Sequence, residues 1–73
     1  MIEVRLFAGL RQGRQKVYQM ENDSVSTVQD VMNVLNIPRS EVNIILINGF
    51  HQKPETVIKD EDIVSLFPAV GGG

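Results

Sequence analysis

Apolar and polar residues alternate from the first positions of the chain. Residues 2–8 read Ile-Glu-Val-Arg-Leu-Phe-Ala. A period of two predicts a strand with Ile2, Val4 and Leu6 on one face and Glu3, Arg5 and Phe7 on the other. The charges turn the second face outward, so Phe7 is expected on the solvent side. Residues 9–15 hold Gly9 and Gly13 among polar residues and read as a turn. Alternation resumes over 16–21, with Tyr18 and Met20 inward and Gln19 and Glu21 outward. The two segments together predict a hairpin.

The period then changes. Asn22-Asp23-Ser24-Val25-Ser26-Thr27 is rich in residues that start helices. Ser26 or Thr27 is the expected N-cap, because a side-chain oxygen there accepts from the free N–H groups of the first turn. Ser26 with Gln29 also fits a capping box. Val28, Val31, Met32 and Leu35 follow at i, i+3, i+4 and i+7, one stripe of a helix. Asn36 and Pro38 end it, since proline disfavours helical geometry in the residue before it.

Residues 42–47, Val-Asn-Ile-Ile-Leu-Ile, predict a central strand buried on both faces. Asn48-Gly49 is a strong hairpin signal, because both positions of that turn need positive φ. Residues 50–53 are expected as a short return strand and 54–62 as an irregular polar connection. Residues 63–67, Ile-Val-Ser-Leu-Phe, form the last strand, with Val64 and Leu66 toward the core and Ile63, Ser65 and Phe67 away from it. Strand, strand, helix, strand, short strand, strand predicts an α+β fold: a mixed sheet of four to five strands with one helix packed across it. Residues 1–68 are expected as one domain and residues 69–73 as a flexible glycine tail.

Composition narrows the function. At 73 residues, an elaborate catalytic cleft has little room to form. Hydrophobic content of 42% and charged content of 22% are those of an ordinary globular domain. A net charge of -2 is no footprint for nucleic acid. No apolar run reaches the roughly 20 residues that span a bilayer, and the alternating N-terminus does not fit a signal peptide. A cytoplasmic location, without a membrane partner, is the expectation. The chain has no cysteine and one histidine, His51, so a thiolate or histidine metal cluster, a disulfide and a cysteine nucleophile are all excluded. Sulfur chemistry, if present, must use a group other than a thiol side chain.

That group is at the C-terminus. Gly71, Gly72 and Gly73 directly follow Phe67-Pro68-Ala69-Val70. A run without side chains is thin enough to thread a narrow tunnel, and it presents one reactive group, the α-carboxylate. A carboxylate is a poor electrophile. Activation as an acyl-adenylate by ATP makes it transferable, and sulfide then converts it to a thiocarboxylate. This chain has no phosphate-binding glycine loop, so the ATP belongs to an activating partner and no cofactor is expected on the chain itself. The alternative is a loose terminus without chemistry.

At this point the chain resembles the MoaD/ThiS family of sulfur-carrier proteins. Val4-Arg5-Leu6-Phe7-Ala8-Gly9-Leu10-Arg11 is similar to the family's opening, Ile47-Asn48-Gly49 to its central Val-Asn-Gly, and Asp60-Glu61-Asp62-Ile63-Val64 to its Asp-Gly-Asp-x-Val. Leu66-Phe67-Pro68-Ala69-Val70-Gly71-Gly72-Gly73 is similar to Phe-Pro-Pro-Val-x-Gly-Gly and is the most specific element. Gly71 adds a third glycine, and Glu61 stands where the family's turn has glycine. The resemblance implies a ubiquitin-like β-grasp fold. It also implies adenylation of Gly73 by a ubiquitin-activating-like enzyme of the MoeB/ThiF type, then sulfuration and sulfur donation, with Gly72 beside the reacting group. The acceptor is the pterin precursor of molybdenum or tungsten cofactor on a larger MoaE-type synthase subunit, or a thiazole synthase in the ThiS branch. Phe67-Pro68 and the opening favour the MoaD branch.

In such a fold the first and last strands are neighbours, so Phe7 and Phe67 would form an exposed apolar patch at the root of the tail. Phe7, Phe67, Pro68, Val70 and Gly71 are the expected partner contacts, with His51 at the rim. Asp60-Glu61-Asp62 is expected to be solvated, since it lacks the spacing of a calcium loop. Arg11, Arg14 and Lys16 either steer an acidic partner or form an ordinary wet loop. A protein modifier joined through Gly73 and a passive interaction module remain the competing functions. An enzyme acting alone has no nucleophile or acid–base pair to support it.

Overall fold

A computed structural model describes residues 1–69. Strand β1 (Ile2–Leu6) leads through a 3₁₀ turn (Ala8–Arg11) into β2 (Val17–Met20). Helix α1 (Val28–Val34) follows, then a second 3₁₀ turn (Arg39–Glu41), β3 (Val42–Ile47), β4 (Phe50–His51) and β5 (Ile63–Pro68). The five strands form one sheet in the order β2-β1-β5-β3-β4. Only β1 and β5 run parallel; the other neighbours are antiparallel. One helix lies across one face of this mixed sheet, which is the expected α+β grasp architecture.

The core follows the two periodicities. Ile2, Val4 and Leu6 of β1 and Val64 and Leu66 of β5 are completely buried. Val28, Val31 and Met32 of α1 meet them, and Leu35, Tyr18 and Met20 are partly buried at the edge of this cluster. Connections also supply core residues. Leu10, Val25, Ile37 and Ile58 are buried although they lie in turns or loops. Residues 9–15 are therefore more than a polar turn: the 3₁₀ turn inserts Leu10 under the sheet.

Strand β3 departs from expectation. Only Ile45 and Ile47 are buried. Ile44 and Leu46 are half-buried and Asn43 is exposed. The reason is topological: β5 takes the centre of the sheet and β3 lies next to the short edge strand β4, so one face of β3 packs on the helix side and the other faces outward. The return strand is also shorter than expected, two residues rather than four. The Asn48-Gly49 turn has φ of +53° and +87°, as this hairpin type requires.

Helix α1 has seven residues, too few to stand without outside help. Its N-cap is Thr27, whose hydroxyl accepts from the Asp30 N–H, while the Asp30 carboxylate accepts from the N–H groups of Thr27 and Ser26. The capping box thus pairs Thr27 with Asp30, not Ser26 with Gln29: the helix starts one residue later, and aspartate reaches back as well as glutamine would. The next free N–H groups, of Val28 and Gln29, donate to the carbonyls of Thr56 and Pro54. At the other end the Arg14 guanidinium donates to the carbonyls of Leu10, Leu35 and Asn36. A cation there also complements the helix dipole. Arg14 is thus a structural clamp rather than a free steering charge.

The acidic turn is likewise engaged. Asp60 and Glu61 pair with the Met1 ammonium. Asp62 accepts from the Asn48 amide and the Lys59 N–H. Glu61 sits at φ +71°, so the turn keeps a left-handed position with a residue that pays for it in strain.

Two outcomes follow. Hydrogen bonds from Ser26 and Thr27 hold the Asp30 carboxyl below its ordinary pKa. A depressed folded pKa contributes stability at neutral pH, and the contribution fades as pH falls below about 4, where an unfolded aspartate takes up its proton. Urea midpoints of the parent should therefore drop more steeply in acid than those of Asp30→Asn. Glu61→Gly should raise stability by up to about 1 kcal/mol, because relief of the left-handed strain outweighs the loss of an exposed ion pair; denaturant titration reads the sign directly.

Candidate functional site: the stacked phenylalanines at the root of the tail

Parallel pairing of β1 with β5 aligns Leu6 with Leu66. One residue further, the chain leaves β1 with Phe7 still extended, and the Phe7 N–H donates to the Leu66 carbonyl. Phe7 and Phe67 thereby meet on the outer face of the sheet. Their rings stack with centroids 4.3 Å apart and planes tilted by 11°. Each is half-buried rather than fully exposed, because each ring covers the other. The Arg11 guanidinium lies 5.4 Å from the Phe7 centroid, and its Nε donates to the Leu6 carbonyl at 2.7 Å. Arg11 is thus tied to the aromatic pair by a cation–π contact. Of the three cations in this loop, Lys16 alone is left without a described contact of this kind among the described residues.

Across β5, Phe67 pairs with Ile44 of β3. Phe67, Pro68 and Ala69 line a groove of about 520 Å³ with Ala8, Gly9, Asn43 and Ile44. Its walls are mostly apolar. Ala8 stands at φ +51°, a left-handed conformation uncommon for a residue with a side chain. The 3₁₀ turn it opens carries one wall of the groove. Ala8, Asn43 and Ile44 were not legible as site residues from the sequence: reading β3 as buried on both faces hid Ile44. Ile44 comes beside Phe67 through the register of β3 on β5, which the Asn-Gly turn does not set, because that turn joins β3 to β4.

His51 lies on the same outer face but elsewhere. It pairs with Leu46, which pairs with Ser65. It is therefore two strands from Phe67 and in the next row down, exposed at the sheet edge. Arg5 stands in the same row as His51, level with Ser65, and pairs with Glu3 one row further from Phe67; Arg5 together with Gln19 holds the Glu3 carboxyl below its ordinary pKa. The expected contacts Val70 and Gly71 and the expected reacting positions Gly72 and Gly73 lie outside the described residues. Among the described residues no group of acidic and histidine side chains is placed to hold a metal ion. No described helix is long and apolar enough to cross a membrane.

The aromatic stack is open to a direct test. In a double-mutant cycle, Phe7→Ala and Phe67→Ala should be non-additive, with a coupling of about 0.5 to 1.5 kcal/mol in urea unfolding, the range for a stacked pair.

Comparison with known proteins gives the same picture. No curated protein matches significantly. Among solved structures, the small archaeal modifier protein 1 of Haloferax volcanii is 25% identical with a TM-score of 0.73, over 94% of this chain and 97% of that one. In the complex of subunits 1 and 2 of molybdopterin-converting factor from Helicobacter pylori, the matching chain is 23% identical with a TM-score of 0.66, over 99% and 97%. In the BexX/CysO complex of Amycolatopsis orientalis the values are 22% and 0.67, over the whole of both chains. These likenesses establish the ubiquitin-like β-grasp fold. The sequence profile of the ThiS family matches residues 4–73, from the strand that leads into Phe7 to the last glycine, and on that match this chain belongs to the ThiS family, the sulfur carriers of MoaD/ThiS type.

Proposed function

We propose that the chain carries sulfur as a thiocarboxylate on Gly73 and delivers it for molybdopterin synthesis. The observation that supports this most is the course of β5: the strand passes from a stacked aromatic pair through Pro68, along an apolar groove, and directly toward the three glycines. A rigid root with a recognisable surface lets a partner hold the domain while the thin tail enters its active site. The chemistry belongs to that partner. A Gly73 carboxylate oxygen attacks the α-phosphorus of ATP and pyrophosphate leaves. Sulfide then attacks the acyl carbon and AMP leaves, giving –CO–SH. The groove and the Phe7–Phe67 pair are the docking surface for a MoeB/ThiF-type activating enzyme and, in turn, for a MoaE-type synthase subunit. The Helicobacter pylori neighbour is bound to a second subunit of its own converting factor, which supports the pairing with a synthase subunit.

A second reading has one observation in its favour. The Haloferax volcanii neighbour is a modifier protein by name, and conjugation through Gly73 to a lysine amine would use the same adenylate. A thiazole synthase in place of the molybdopterin subunit changes the acceptor, not the carrier step.

Intact-mass spectrometry after incubation with ATP, an activating enzyme and sulfide should show the gain for replacing one oxygen by sulfur, absent in a chain lacking Gly73. No gain with an enzyme proven on another carrier overturns the proposal. High-mass conjugates in cell extract in place of that gain would establish the modifier.

A further inference from the structure

Asn48 is the one asparagine of the chain followed by glycine. The other four precede aspartate, valine or isoleucine, whose side chains crowd the following backbone nitrogen. At Asn48 nothing crowds it, because Gly49 has no Cβ and open space surrounds that position. Such a pair is chemically prone to deamidation. The Gly49 nitrogen attacks Asn48 Cγ, the N–Cγ bond forms, and the Cγ–Nδ2 bond breaks. Nδ2 departs as ammonia with the Gly49 proton, and water opens the succinimide to aspartate or isoaspartate. The residue is exposed, so water has access.

The fold holds this side chain at both ends. Asn48 Nδ2 donates to Asp62 Oδ1 at 2.9 Å, and the Ile63 N–H donates to Asn48 Oδ1 at 3.0 Å. The Asn48 N–H donates to the Ile63 carbonyl at 2.9 Å, which fixes the backbone as well. Asp62 is itself fixed by accepting from the Lys59 N–H at 2.8 Å. Cγ cannot swing onto the Gly49 nitrogen while these bonds stand.

We infer that Asn48 is a deamidation site latched by Asp62. The reaction proceeds through local release of the Asn48-Gly49 turn from Asp62 and Ile63, and it does not reverse. The product carboxylate would face Asp62 where the amide had donated, two like charges in place of a hydrogen bond, and isoaspartate would lengthen the backbone of a turn that needs two left-handed residues. A deamidated chain therefore loses the tie between the hairpin and the start of β5.

Peptide mapping by mass spectrometry during incubation at mildly alkaline pH tests the latch. Asp62→Ala should deamidate at Asn48 about fivefold faster than the parent, the shift that losing one hydrogen bond gives a local opening equilibrium. Asp62→Asn keeps the shape and one acceptor, so it should fall between the two and serves if the alanine variant does not fold. Arg14→Ala loosens the domain far from the turn and should leave the Asn48 rate near that of the parent. An unchanged rate in both Asp62 variants overturns the inference, and so does equal acceleration by Arg14→Ala, which would place the reaction in the globally unfolded chain.

Discussion

The pairing of the first strand with the last is the contact on which everything else depends. Among the described residues β1 and β5 are the only parallel neighbours, and they join residues about sixty positions apart. Each contributes completely buried side chains, so the centre of the sheet and the centre of the core are the same place. The helix packs onto that seam, β2 flanks it on one side, and β3 and β4 flank it on the other. No local segment creates this pairing. It forms only when the chain closes on itself, which is the slowest kind of contact to make. The same register, continued one residue, stacks Phe7 on Phe67 and sets the exit of the tail.

The helix shows how a short element is made stable by its surroundings. Its N-terminus uses its own capping box and two carbonyls from residues 54–56. Its C-terminus uses an arginine from the turn between β1 and β2. The irregular connection from 54 to 62 therefore has definite work: Ile58 fills the core, Thr27 bridges Val57, and Asp62 locks the Asn-Gly turn. Polar residues in both connections are spent on backbone groups that the regular elements leave open.

Periodicity made the strands, the helix stripe and the inward faces of β1 and β5 legible, because each is a property of neighbours along the chain. Phe7 and Phe67 were legible as a pair because parity put both on the outer face and fold topology put them side by side. What could not be read was whatever depends on distant partners. Leu10 looked like part of a polar turn until the 3₁₀ turn placed it under the sheet. Arg14 looked like a loop cation, since its two acceptors at the end of the helix, Leu35 and Asn36, lie more than twenty residues away. Ile44 was hidden by a run of apolar residues with no alternation to assign a face, and His51, expected at the rim of the site, stands at the sheet edge two strands from Phe67, because edge position depends on strand order. Glu61, in the acidic turn, stands in a left-handed conformation that nothing in its side chain announces.

Parallel pairing also fixes the polarity of the molecule. Residue 1 enters beside the start of β5, and the chain leaves at the far end of that strand, about 16 Å away by the rise of an extended strand. A tag or reporter fused ahead of Met1 would therefore point away from the groove and leave the exit clear, at the cost of the ammonium that Asp60 and Glu61 grip. The two ends of the central strand pair are thus distinct: Asp60 and Glu61 hold one, and the stacked phenylalanines border the other.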